Sequence, residues 1–455
     1  MLYSKEEKFK KYQHLLLILV PVSIYAFPYI RYKVGTMPIY LLDIVIFFAL
    51  VKFWPKKVRL NSISKPILWY VVFSFFSFLA ELTTHESYET VYFFIRWLLS
   101  YSLLIFMRDL VNSKRALKVM LITLVSISLF DALGAILYSL PLTRNYVDPV
   151  FTSEILYPQT SRAIERLDTA VSQRGICFAG PSTLTSFYVY IGMCILLFNI
   201  GLKKNIREYF GFPNLNRLYQ VFLIIIFITG ALISLSRAAF LTTAIYISYL
   251  IFTKTSRKIK SYLFFSMVLI LGFLIKSDVL EQVDYSRITE TTEILSSNRE
   301  VGYSEIERLD AYVKPFIHLA EYPFSILFGH GMSDIKVGRL DGQYNSTLYG
   351  KVTEGVHGLP GAIIYARGFF AFFFFVTFLF NLTKIVTRKP KEFGSRRLFH
   401  FLGILFVLNF LVLILTEHWF VDNITGSYQL FFMVALILIL KKTEFLNHNN
   451  KNHAI

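Results

Sequence analysis

Residues 217–252 read RLYQVFLIIIFITGALISLSRAAFLTTAIYISYLIF. Two apolar runs, 217–235 and 237–253, meet at Ser236-Arg237 with no room between them for a free loop. Each is close to the roughly 20 mostly apolar residues that a helix needs to cross a bilayer. Two such helices must turn back on themselves at once, and Ser236-Arg237 then lies at a membrane face.

The same rule applied outward gives twelve candidate spans, at about 15–31, 38–54, 66–82, 90–107, 118–140, 183–201, 217–235, 237–253, 261–276, 359–383, 398–416 and 424–440. Composition agrees: 55% of the 455 residues are hydrophobic, 17% aromatic and only 17% charged, too few charges to cover a soluble globule of this size. The expected fold is an all-α polytopic membrane protein with about twelve transmembrane helices and a long, partly helical outer loop. Residues 1–14 are basic and precede an apolar run too long for a signal core, so 15–31 reads as a first, retained helix.

The net charge of +17 would fit a nucleic-acid partner if it were gathered on one face, but Lys and Arg occur in short blocks between apolar runs. With the N-terminus inside, the cytoplasmic connections are 55–59, 108–118, 203–217, 254–260, 384–397 and 441 onward, and all are basic. The opposite connections 83–89 and 417–423 hold no Lys or Arg. This alternation is the positive-inside pattern, and it puts both termini in the cytoplasm of a multi-pass protein.

Two outer connections are long, 141–182 and 277–358. The chain accordingly divides into nine helices over 1–276, the large outer loop 277–358, helical around 305–321, and three helices with a basic tail over 359–455. Loops of this length in a compact membrane domain are usually lids or binding segments. No two halves match as they do in inverted-repeat transporters. Cys177 and Cys194 read as packing residues.

Chemistry is sought among the outer-face cations. Arg237 is either a snorkelling anchor or a fixed cation for phosphate, since a guanidinium offers phosphate oxygens a rigid fork of donors. Arg308 lies in Glu307-Arg308-Leu309-Asp310-Ala311-Tyr312, which also reads as a solvated amphipathic helix ending in the Gly-rich turn Phe328-Gly329-His330-Gly331. His357, before Gly358 and Pro360-Gly361, is an interfacial residue or a general base with a pKa near neutrality. Arg96, inside the fourth span, either snorkels toward Glu81 or Glu89 or faces a polar cavity. No His or acid cluster has metal-ligand spacing, apart from Glu417-His418 with Asp422, so no metal or other cofactor is expected.

The Ser236-Arg237-Ala238 turn, the Arg308 segment closing on Gly329-His330-Gly331, and the His357 helix start with Gly361 and Gly368 together resemble the O-antigen ligase and Wzy-type O-antigen polymerase superfamily. The likeness runs over residues 90–380 and includes Arg174-Gly175 and Gly180-Pro181-Ser182. It departs from the family where His-Asn is replaced by His357-Gly358 and where an acid before Gly is replaced by Arg367-Gly368.

The resemblance implies a metal-independent, inverting glycosyltransferase of the GT-C type at the outer face of the cytoplasmic (inner) membrane. Its donor would be an undecaprenyl-pyrophosphate-linked glycan, its acceptor a second glycan, and a chain-length regulator a further partner. On this reading Arg237, Arg308 and Arg96 would hold the pyrophosphate, and His357 would be the catalytic base with Arg237 and Arg308 at its side. Arg174 and Tyr312 are further candidates, Tyr312 as an apolar surface for a sugar. Polymerisation of O-antigen, capsule or exopolysaccharide repeat units is the leading reading. Ligation to a lipid A core or protein is one alternative, and a multi-span transporter or flippase is another of a different class.

Overall fold

The computed structural model describes residues 5–28, 30–34, 37–54, 61–84, 88–139, 185–201, 215–233, 237–252, 257–276, 323–329, 359–387, 399–408 and 424–449. The fold is built of helices, with one two-stranded hairpin among the described residues. In chain order these are α1 (Lys5–Tyr25), β1 (Arg31–Val34), β2 (Met37–Tyr40), α2 (Leu41–Lys52), α3 (Ser64–Thr84), α4 (Tyr88–Leu110) and α5 (Lys114–Ser139). They continue as α6 (Thr185–Gly201), α7 (Arg217–Leu232), α8 (Arg237–Phe252), α9 (Arg257–Lys276), α10 (Pro323–Phe328), α11 (Leu359–Val386), α12 (Phe399–Leu408) and α13 (Ile424–Asn449).

A helix overlaps each of the twelve apolar stretches, but boundaries shift where local chemistry intervenes. α1 starts at Lys5 and stops at Tyr25, because Pro28 disfavours helical backbone in the residue before it and cannot itself continue the ladder. The expected second span loses its first turn to a hairpin. Arg31 pairs with Tyr40 and Val34 with Met37, antiparallel, and Pro38 is tolerated because each strand has a free edge among the described residues. That leaves α2 only 12 residues, about 18 Å at 1.5 Å per residue, which is short of a bilayer core of about 30 Å. By length and hydropathy, Lys114–Tyr138 in α5 and Ile363–Val386 in α11 can each cross a membrane.

The start of α3 is set by capping chemistry. Asn61 Oδ1 accepts from the backbone N–H of Ile63 (2.8 Å) and Ser64 (2.9 Å), while Ser64 Oγ accepts from the Asn61 N–H (2.8 Å). This reciprocal pair opens α3. Asn61→Ala should lower stability by about 1 kcal/mol, read as a fall in the melting temperature of the purified protein; an unchanged melting curve would remove the cap from the account.

α3 packs along α11, α4 against α13 and α2, and α1 between α2 and α5. α5, α6 and α7 form a close group. Small residues permit that approach: a Cβ on Gly192 would lie 2.5 Å from Ser128 Cβ, and one on Gly230 would lie 2.8 Å from Ala132 Cβ. At the core Tyr25 meets Tyr188 and Phe432 edge-on, with ring centroids 5.8 and 5.5 Å apart. Gln429 ties three helices there: its Oε1 accepts from Tyr188, its Nε2 donates to Ile24 O, and its carbonyl accepts from Tyr25. Cys194 is buried and free, with Sγ 2.7 Å from the Tyr246 hydroxyl; Cys177 lies outside the described residues.

The α3–α11 seam is aromatic, with Phe73 stacked on Phe374 (5.4 Å) and Trp69 stacked on the same ring (6.0 Å). At its end sits α10, whose Phe328 ring is 5.7 Å from Phe76 and 5.9 Å from Phe370. Ser77 Oγ donates to Phe328 O. Gly329 then takes φ 79°, the left-handed conformation that commonly ends a helix at glycine.

Candidate functional site

Two of the polar features within the apolar core hold buried arginines. The first is built by α2, α4 and α13. α2 follows directly on the hairpin, so Tyr40 and Asp43 are held at the hairpin end of the bundle. Arg96 of α4 is only 2% exposed; its Nε donates to Asp43 Oδ1 at 2.9 Å and lies 2.7 Å from Oδ2 in an ion pair. The Tyr428 hydroxyl of α13 donates to Asp43 Oδ1 (2.8 Å), and the Tyr92 hydroxyl donates to Oδ2 (3.3 Å). Tyr40 covers the guanidinium, its ring centroid 3.8 Å from Cζ, and Tyr92 lies at 5.6 Å. A buried charge is stable only when it is paired and hydrogen-bonded. Asp43 and Arg96 supply the pairing, and the tyrosines satisfy the carboxylate.

The second feature is the crossing of α10 and α11. Gly368 interrupts α11 with φ 80° and ψ 172°, a conformation essentially restricted to glycine. A Cβ there would lie 2.3 Å from Leu327 O, and one on Gly329 would lie 2.5 Å from Ala366 O. The two glycines therefore let two backbones touch. Arg367, beside the kink, is 2% exposed, and its Cζ lies 5.2 Å from the ring of Trp97, the residue after Arg96.

The sequence-expected residues are unevenly covered. Arg96 is described, and it does not snorkel: its charge is met inside the bundle by Asp43, 53 positions away in sequence. Arg237 is the first residue of α8, and its side chain lies outside the described residues, as do residues 234–236. Arg308, His357, Arg174 and Tyr312 also lie outside them, as do 305–321 and Glu417, His418 and Asp422. Among the described residues no group of three His, Cys, Asp or Glu could hold a metal ion.

Asp43, Tyr92, Tyr428 and Arg367 escaped the sequence reading as site residues. Asp43 left a usable signal, because it is the one acid in the apolar stretch Leu41–Lys52 and a lone carboxylate there demands a cationic partner. The chain matches no model of a known protein family and no curated protein.

Proposed function

We propose that the chain is a polytopic membrane glycosyltransferase that polymerises undecaprenyl-pyrophosphate-linked repeat units at the outer face of the cytoplasmic membrane, with both termini inside. The observation that carries this reading is the close backbone crossing of α10 and α11, with Gly329 against Ala366 and Gly368 against Leu327. It ties the segment following Arg308 to the helix that begins just after His357-Gly358, so that two distant parts of the sequence share one end of the bundle. The start of α8 at Arg237 is in keeping with it.

In the reaction, Arg237 and Arg308 hold the donor pyrophosphate and stabilise the charge that grows on it as the bond from the anomeric carbon to oxygen breaks. His357 removes the proton from the acceptor hydroxyl. That oxygen attacks in line, inverts the anomeric centre and releases undecaprenyl pyrophosphate, with no metal required.

The test is to incubate the purified protein with lipid-linked repeat units alone. Extended glycans with released undecaprenyl pyrophosphate are the expected result. Transfer only after a lipid A core or protein acceptor is added would convert the reading to a ligase. No release with any acceptor would overturn it. The buried Asp43–Arg96 pair favours a second reading, a transporter, since ion pairs inside bundles often line solute paths; movement of lipid-linked glycan across proteoliposomes without bond cleavage would establish that instead.

A further inference from the structure

α2 is too short for the position it occupies. Leu41, Ile44, Phe47, Phe48 and Val51 recur at helical spacing and are 40–63% exposed, so one side of the helix is wholly apolar and uncovered by the described residues. In water such a strip would be a liability, whereas in a bilayer it is a lipid-facing wall. Yet the 12 residues of α2 reach about 18 Å, against a hydrocarbon core of about 30 Å. Lys52 closes the strip at one end and the β1–β2 hairpin closes it at the other.

The hairpin continues the same apolar surface. Tyr32 pairs with Ile39 across the two strands, and both are exposed, Tyr32 by 75%. Directly opposite residues of paired strands share a face, and the next residue along a strand points the other way. Tyr40 is that next residue, and its ring covers the Arg96 guanidinium at 3.8 Å. The Tyr40 side of the hairpin therefore meets the bundle, and the Tyr32–Ile39 side turns away from it. Since Tyr40 also caps α2 in an extended conformation, the exposed surface passes from Ile39 to Leu41 and Ile44 without a break in the chain.

Two arrangements would make up the missing length. In one, acyl chains rise around the hairpin, which takes Arg31 and Lys33 of β1 and the strand edges left open among the described residues into hydrocarbon. Each such charge is costly there, and open sheet edges do not face lipid at that depth. In the other, the bilayer thins by about 12 Å beside α2, at a modest cost per ångström. The second is the cheaper, because the first takes two charges and two open edges out of water together.

We propose that the β1–β2 hairpin is a membrane-interface element, whose Tyr32–Ile39 face rests on the acyl chains of a bilayer thinned to the length of α2. The partner is the lipid surface itself, and with the N-terminus inside it is the outer leaflet. Tyrosine suits this depth, with an apolar ring and a polar tip. The arrangement also lowers the cost of the buried ion pair. Asp43 is the third residue of α2, so the Asp43–Arg96 pair lies within about one helical turn, or 5.4 Å, of the lowered head-group level. The proposal rests on the membrane part of the function proposed above and is independent of the glycan chemistry.

The experiment places a nitroxide label on single cysteines of the full-length protein in dioleoylphosphatidylcholine vesicles. It compares collisions with oxygen, which concentrates among acyl chains, and with a nickel chelate, which stays in water. The unsubstituted protein records any label taken up by the native cysteines. Tyr32→Cys reports on the hairpin, Phe48→Cys on α2, and Phe373→Cys on the exposed side of α11, and all three replace exposed rings. Labels at 48 and 373 should strongly prefer oxygen, and that preference should be lost at 32, where both reagents collide. Replacing the lipid by the longer dierucoylphosphatidylcholine should leave residue 32 as it was, because the lipid beside α2 adapts to the helix. If Tyr32→Cys does not fold, Ile39→Cys takes the same measurement on the same face.

A hairpin label that meets only the nickel chelate would place the hairpin in water and overturn the proposal. One that shows the oxygen preference of residue 48, in either lipid, would place it inside the hydrocarbon and overturn it equally. Nickel access without oxygen preference at 373 as well would remove the membrane reading itself, whereas oxygen preference at 48 and 373 with water at 32 removes the hairpin proposal alone.

Discussion

Gly368→Ala is expected to lower the melting temperature sharply and to open residues 323–329 to protease. The added Cβ would lie 2.3 Å from Leu327 O and 2.5 Å from Phe328 N, both backbone atoms. Neither belongs to a side chain that can rotate away. The backbone itself, at φ 80° and ψ 172°, costs an L side chain about 1–3 kcal/mol even in open space. Overpacking adds roughly another 1–3 kcal/mol. Because the clash is with α10, relief comes from α10 lifting off α11, with loss of the Ser77–Phe328 hydrogen bond and the Phe76 and Phe370 ring contacts. Limited proteolysis followed by mass mapping would locate the cut. If Gly368→Ala melts with wild type and shows no new cleavage, the close crossing of the two backbones is not what holds α10. On the proposed function the same variant should lose transfer, since residues 323–329, which follow Arg308 in the sequence, would no longer be held on α11.

The second large effect is expected from Asp43→Leu. It leaves the Arg96 guanidinium buried without its counter-charge and removes the acceptor for the Tyr428 and Tyr92 hydroxyls. Removing one partner of a buried pair costs about 3–5 kcal/mol, because the survivor keeps its desolvation cost and loses its compensation. Converting both members to leucine should recover most of the loss, since a buried ion pair is often no more stable than the apolar residues that fill its space. The double-mutant cycle, measured by thermal melting, isolates the coupling. Additive losses in the two single variants, with no recovery in the double, would show that the pair does not stabilise the α2–α4 contact.

Hydrophobic patterning located the helices. The Ser236-Arg237 turn is an example: two apolar runs with one polar break leave the backbone little choice, and α8 does begin at Arg237. The charge of Arg96 within an apolar stretch was equally plain from the sequence, because a guanidinium among Phe, Ile and Trp is costly wherever the chain goes. The clues to α2 were weaker. Met37–Tyr40 is apolar enough to be counted with the helix that follows, and only pairing with Arg31–Val34 assigns it to a strand.

By itself, then, the sequence determined which long apolar stretches hold helices and that one of them carries a cation, since both follow from the distribution of polar groups among apolar ones along a single segment. Tertiary structure alone decided what meets that cation and where the backbones touch. Asp43 and Tyr428 stand 385 positions apart, and the crossing at Gly329 and Gly368 depends on two dihedral angles that no hydrophobic pattern records. Contacts of that kind are set by how whole helices pack, and packing is a property of pairs of surfaces, not of any one segment.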